Sequence, residues 1–212
     1  MGTIKQGILG GFSGKVGSVI GGSWKGIAYM RSIPQSVKNP RSEGQVSQRT
    51  KFTVALDFLK PVTGLIQVGF KLYAQKQTAF NAAMSYTLNN AIAGTAPNFS
   101  IDYSKALVSR GSLPGARNGQ ATSASGVVSF TWDDNSSIGT ANQTDKALLA
   151  VLNPTRGEAM IETAGSQRSV GSENIAVPAD WVGEDVEVFI GFISEDAKLV
   201  SSSVYLGTVT VA

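Results

Sequence analysis

The side chains of this 212-residue chain that could do chemistry are carboxylates, amines, guanidines and hydroxyls, because it contains neither Cys nor His. The densest carboxylates are Asp133-Asp134 and Glu184-Asp185, with Glu187 two residues on. Two carboxylates can share acid and base work when a cleft fixes their separation, as in glycoside hydrolysis. The local context of these residues reads otherwise. Asp133-Asp134-Asn135 has the composition of a turn, and Glu184 and Asp185 after Gly183 read as the entrance to a strand. Neither cluster has the ligand spacing of an EF-hand calcium loop. The run Gly10-Gly11-Phe12-Ser13-Gly14-Lys15-Val16 matches a phosphate-binding loop only at Gly14-Lys15. The first glycine of that motif would fall on Leu9, and its magnesium-binding hydroxyl on Val16. Without Cys there is no disulfide or thiolate. Without His there is no Ser-His-Asp triad, Cys-His pair or His-ligated zinc. The expectation is a protein that is not an enzyme, with no catalytic, cofactor or metal residues.

Charge is distributed unevenly. Residues 1–82 hold eleven Lys and Arg against Glu43 and Asp57, a net +9. Residues 101–212 hold seven Lys and Arg against thirteen Asp and Glu, a net −6. A basic half suits nucleic acid, or the acidic half of a neighbouring copy. In the N-terminal arm Phe12, Trp24 and Tyr29 stand among Lys15, Lys25 and Arg31. Aromatic rings among cations can hold single-stranded nucleic acid. Packing against the helices or subunit contact is the favoured reading of the same residues, with nucleic acid the alternative. The acidic partners on a second copy would be Glu184, Asp185 and Glu187.

Three textures organise the chain. Residues 1–41 form a glycine-rich basic arm, where the glycine density argues against helix. Lys15–Ile20 and Trp24–Arg31 read as a β-hairpin turning at Gly21-Gly22-Ser23. Trp24, Gly26, Ala28 and Met30 then share one face, and Lys25, Ile27, Tyr29 and Arg31 the other. An isolated hairpin is marginal in water, so the arm needs cover. Residues 42–97 read as a helical segment, capped at Ser42 and Thr78, interrupted at Pro61 and stopped by Gly94 and Pro97. Residues 98–212 read as a β-sandwich domain. Its expected strands are 99–103, 105–112, 127–132, 146–152, 158–163, 172–177, 186–193 and 203–211, and Gln120–Gly126 reads as a flexible loop. The fold class is α+β, with an immunoglobulin- or fibronectin-like antiparallel sandwich. Trp132 and Trp181 read as core or rim residues. The apolar stretches fall short of the ~20 residues that span a bilayer, and Met1–Gly11 lacks the pattern of a signal peptide. Synthesis in the cytoplasm and no membrane span are expected.

The motif Gly7-Ile8-Leu9-Gly10-Gly11-Phe12-Ser13-Gly14-Lys15-Val16-Gly17, followed by Trp24-Lys25-Gly26, carries a family resemblance. Phe58-Leu59-Lys60-Pro61, Thr144-Asp145-Lys146-Ala147 and Val177-Pro178-Ala179-Asp180-Trp181 extend it. With these pieces the chain resembles an uncharacterised Bacteroidota protein family, a domain of unknown function. The resemblance implies no activity and no site residues. The composition points to a structural protein that self-assembles as a homo-oligomer, in a phage virion or another filament or particle. A sandwich module binding carbohydrate or protein, with the basic arm as a nucleic-acid or partner tether, is the alternative.

Overall fold

A computed structural model describes residues 2–4, 10–24, 26–36 and 41–212. The chain divides into two compact units, Met1–Ser42 and Glu43–Ala212.

The N-terminal unit is an antiparallel sheet of β1 (Thr3–Ile4), β2 (Phe12–Val16), β3 (Val19–Trp24) and β4 (Ile27–Ser32), paired in chain order. This corrects the expected single hairpin. Gly21-Gly22-Ser23 does not turn but runs through β3, and the turns fall on either side of that strand. Gly17 adopts φ +57° between β2 and β3, and Gly26 adopts φ +85° before β4. A residue at positive φ in a two-residue connection supplies a twist that matches the flanking strands, and glycine takes it without strain. Gly21 and Gly22 remain in the strand because aromatic rings use the space they leave. A Cβ on Gly21 would lie 2.5 Å from the Phe12 ring, and one on Gly22 3.2 Å from the Tyr29 ring. A ring laid across a strand glycine restores packing that glycine gives up.

The turn at Gly26 also corrects the expected grouping of side chains. Trp24 pairs with Ile27, Gly22 with Tyr29, Ile20 with Arg31 and Lys15 with Ile20. Directly paired residues share a face. Trp24, Ile27, Tyr29, Arg31 and Lys15 therefore lie together, with Met30 and Ala28 on the opposite face.

The larger unit begins with α1 (Glu43–Leu59), α2 (Thr63–Gly69) and α3 (Ala79–Asn90). Pro61 lies in the break between α1 and α2, where a missing N–H does least harm. Thr78 caps α3 by accepting from the Asn81 N–H at 3.1 Å. The strands are β5 (Ile92–Thr95), β6 (Asn98–Ile101), β7 (Arg117–Ala124), β8 (Val127–Asp133), β9 (Lys146–Asn153), β10 (Glu158–Glu162), β11 (Ser172–Ala176), β12 (Asp185–Ile193) and β13 (Val204–Thr210). They form a four-stranded sheet β10-β9-β12-β13, a three-stranded sheet β11-β8-β7 and the hairpin β5-β6, all antiparallel. Antiparallel sheets predominate and are joined by three helices among the described residues, consistent with an α+β protein.

β9 and β12 explain the layering. Each is flanked by strands on both sides and is apolar on both faces, so neither shows a polar stripe. On β12, Val186, Val188, Ile190 and Phe192 pack with Val128, Phe130 and Trp132 of β8. Phe189 and Ile193 point the other way and pack with Phe58, Leu59, Leu65 and Ile66. The four-stranded sheet is thus covered by helices on one face and by the smaller sheet on the other. The change of texture at residue 97 lies inside this unit, because helices and strands share a core.

Three expected assignments fail here. The last helix stops at Asn90 rather than at Gly94, which lies inside β5 with φ +89°. Residues 105–112 are not a strand. The Val108 and Ser109 N–H groups donate to the Ser203 hydroxyl at 3.0 and 3.4 Å, and the Ser109 hydroxyl donates to the Ser201 carbonyl at 2.9 Å. Side-chain hydroxyls satisfy this backbone in place of a neighbouring strand. Conversely, most of the stretch taken for a flexible loop at 120–126 belongs to β7. It pairs residue for residue with β8, and the tight turn is confined to Ser125 (φ +52°) and Gly126 (φ +73°). Pairing overrides the low strand propensity of its small polar residues.

Candidate functional site

The N-terminal sheet carries the three most exposed large apolar side chains among the described residues. All six residues of β4 are exposed, and among the described residues no strand pairs with its outer edge. Trp24, Ile27 and Met30 are 65%, 68% and 71% exposed, and Tyr29 and Val16 are exposed as well. Lys15 and Arg31 are exposed on the face of Trp24, and Phe12 is half-buried over Gly21. Lys25 lies outside the described residues. An open strand edge offers unpaired N–H and C=O groups to another strand. Phe12–Val16, the stretch compared with a phosphate loop, is strand β2 and is followed by another strand rather than a helix.

The acidic candidates are distributed differently from their sequence spacing. Glu184 Oε2 accepts from Arg156 Nε at 2.7 Å and from Asn153 Nδ2 at 2.6 Å. Arg156 also donates to Asp180 Oδ2 at 2.6 Å. The Arg156 hydrogen bond holds the Glu184 carboxyl below its ordinary range. Asp185 is exposed and accepts from the Thr210 hydroxyl at 2.6 Å. Glu187 is only 8% exposed, and it accepts from the Tyr205 phenol and from the Thr208 hydroxyl. Of the three acids assigned to a subunit contact, Asp185 is the one left exposed without a cation.

Glu187 belongs to an aromatic cluster on the helix side of the sheet. Tyr103 stacks on Tyr205 at 6.3 Å between ring centroids, and Phe58 and Phe189 complete the group. Burial, and secondarily the Glu187 charge, push the Tyr103 phenol up to about 12. Burial and the hydrogen bond to Glu187 raise Tyr205 as well. These phenols hold their protons near neutral pH, where a general acid or base needs to exchange one. The folded state binds these protons more tightly than the unfolded chain, which releases them near pH ~10. Stability is therefore expected to fall as pH rises from about 10 towards 12. The urea midpoint should be lower at about pH 11 than at about pH 9, and Tyr103→Phe should reduce the difference. An equal drop in parent and variant would remove Tyr103 as the cause.

A second buried cluster escaped the sequence reading. The Arg168 and Asp145 side chains are 0% and 1% exposed, and Nε donates to Oδ2 at 3.1 Å. Arg168 Nη1 donates to Asn135 Oδ1 at 2.5 Å and Nη2 to the Pro114 carbonyl at 2.9 Å. Its guanidinium lies 3.8 Å from the Phe192 ring centroid. Trp132 Nε1 donates to the Arg168 carbonyl at 2.8 Å, and Asp145 Oδ2 also accepts from the Asn142 N–H. One cation ties four loops to the inner face of β8 and β12. This is a structural role, and the only sequence signal for it was Asp145 within Thr144-Asp145-Lys146-Ala147. Trp132 and Trp181 are buried, as a core reading requires.

A model of a family of unknown function, DUF6266, matches residues 11–207. The chain belongs to this family. The DUF6266 match begins before β2 and ends inside β13, so the N-terminal sheet from β2 onward and the larger unit are both part of what defines the family. No curated protein and no solved structure matches the chain. Among the described residues, no helix is long and apolar enough to cross a membrane, and no three His, Cys, Asp or Glu side chains gather as a metal site.

Proposed function

We propose that this chain is a non-enzymatic structural subunit that assembles with copies of itself through the N-terminal sheet. The observation that carries the reading is β4: an outer strand whose six residues are all exposed, with large apolar side chains on both faces. Monomeric proteins rarely leave such a surface uncovered. A strand from a second copy would satisfy its backbone and cover Ile27 on one face and Met30 on the other. Exposed Lys15 and Arg31 then meet acidic groups of the neighbour, of which Asp185 is available, while Glu184 and Glu187 are engaged within their own chain. A contact between two different surfaces closes into a ring or extends into a filament. A phage virion is the setting we favour, with Bacteroidota the host group that the N-terminal motif suggests.

We read the facing sheets as an immunoglobulin- or fibronectin-like sandwich. Lettered A to G in chain order, β7 to β13 pair as A-B-E and D-C-F-G. This departs from the constant-type immunoglobulin order only in the sheet to which the fourth strand belongs. Such a sandwich is a rigid body on which an assembly contact can be mounted. The alternative, a carbohydrate- or protein-binding module, would draw on exposed tryptophans, whereas Trp132 and Trp181 are buried.

Light scattering tests the reading. The intact chain is expected to grow in mass with concentration, whereas a chain lacking residues 1–41 stays monomeric. The same small monomer for both at high concentration would overturn it.

A further inference from the structure

We propose that Arg110 is the anchor of a binding site for a small hydroxylated carboxylate of the sugar-acid type. The site goes beyond the assembly reading and lies in the larger unit alone. Arg110 lines a pocket of about 260 Å³ with Tyr73, Gln77, Ser85, Tyr86 and Asn90. Its guanidinium carbon stands 4.5 Å from the Tyr73 ring centroid and 5.2 Å from that of Tyr86. Two rings thus hold the cation by its π contacts. Arg110 is half-buried, yet among the described residues no carboxylate pairs with it and no protein acceptor takes its guanidinium protons. Two other arginines of this unit have close charge partners and are satisfied within the protein: Arg168 by Asp145 and Asn135, Arg156 by Glu184 and Asp180. A half-buried guanidinium held rigid and left without an acceptor matches an oxyanion in two parallel hydrogen bonds.

The remaining lining narrows the ligand class. Gln77 Nε2 donates to the Tyr73 carbonyl at 3.1 Å, and Asn90 Nδ2 to the Tyr86 carbonyl at 2.8 Å. Each amide spends one N–H on the backbone, and among the described residues no donor reaches its oxygen, which stays open as an acceptor. The rim thus offers amide oxygens and hydroxyls beside the cation, and ligand hydroxyl groups, which donate and accept, match them. Arg110 is the only cation lining the pocket, so a monoanion is neutralised there and a dianionic phosphate would not be.

Calorimetric titration of the intact protein with sodium glucuronate tests the site, with glucose at matched ionic strength as the control. Glucuronate is expected to saturate and glucose to give no binding heat. Arg110→Gln should weaken glucuronate about tenfold or more, the loss expected for a charged hydrogen bond. Ser85→Asp places a like charge beside the ligand from an exposed position on α3 and should have a similar effect, so the test does not depend on how Arg110→Gln folds. No saturation by glucuronate, equal binding of glucose, or unchanged affinity in both variants would overturn the proposal.

Discussion

Asp145→Ala is expected to destabilise the larger unit by about 3–5 kcal/mol, among the largest single effects in the molecule. The substitution leaves Arg168 in an interior where its side chain has 0% exposure, without the carboxylate that compensates it. Burial already lowers the proton affinity of this guanidine, but an arginine stays charged at any working pH, so the strain cannot be relieved by deprotonation. The remaining contacts, to Asn135 Oδ1 and the Pro114 carbonyl, are neutral acceptors and do not replace a charge. Replacing the pair together, as Asp145→Leu with Arg168→Met, should be far milder, because no unpaired charge remains. Trp132 and Trp181 are buried reporters for urea unfolding. A loss below about 1 kcal/mol in Asp145→Ala would mean that water or a rearranged loop solvates Arg168.

Ile27→Lys with Met30→Lys should abolish association while leaving the urea midpoint of the larger unit unchanged. Both side chains are largely exposed, at 68% and 71%, so neither substitution removes packing within the chain. They lie on opposite faces of β4, so the double variant charges both surfaces of the outer strand. Lysines on an edge strand oppose strand addition, because pairing would desolvate them and bring like charges together between copies. Separate measurement matters here. Loss of association with an unchanged midpoint assigns the effect to the contact rather than to folding.

Much of the larger unit was legible from its residues. The expected strand at 186–193 is β12, and its alternation places Val186, Val188, Ile190 and Phe192 in one core and Phe189 and Ile193 in the other. Thr78 and Pro61 marked a helix start and a helix break for local reasons that need no tertiary partner. β7 was illegible because its residues are small and polar, and β8 supplies the reason it is a strand. The turns of the N-terminal sheet were misplaced because glycine serves two purposes there. Gly17 and Gly26 supply positive φ, whereas Gly21 and Gly22 supply room for rings, and composition does not separate the two. The Arg168 cluster joins residues 23, 33 and 54 positions apart, and the Arg110 pocket gathers side chains from three segments. Such long-range groupings leave no periodic trace. The acidic run at 184–187 was read as one patch, but strand alternation sends Glu187 inward and a cation captures Glu184.

Sedimentation velocity of the intact chain over a concentration series, run beside the Ile27→Lys and Met30→Lys double variant, tests the assembly claim most directly. The account predicts a sedimentation coefficient that rises with concentration for the parent and stays constant for the variant. A parent that sediments as a monomer throughout the series, or a variant that associates as the parent does, would contradict it.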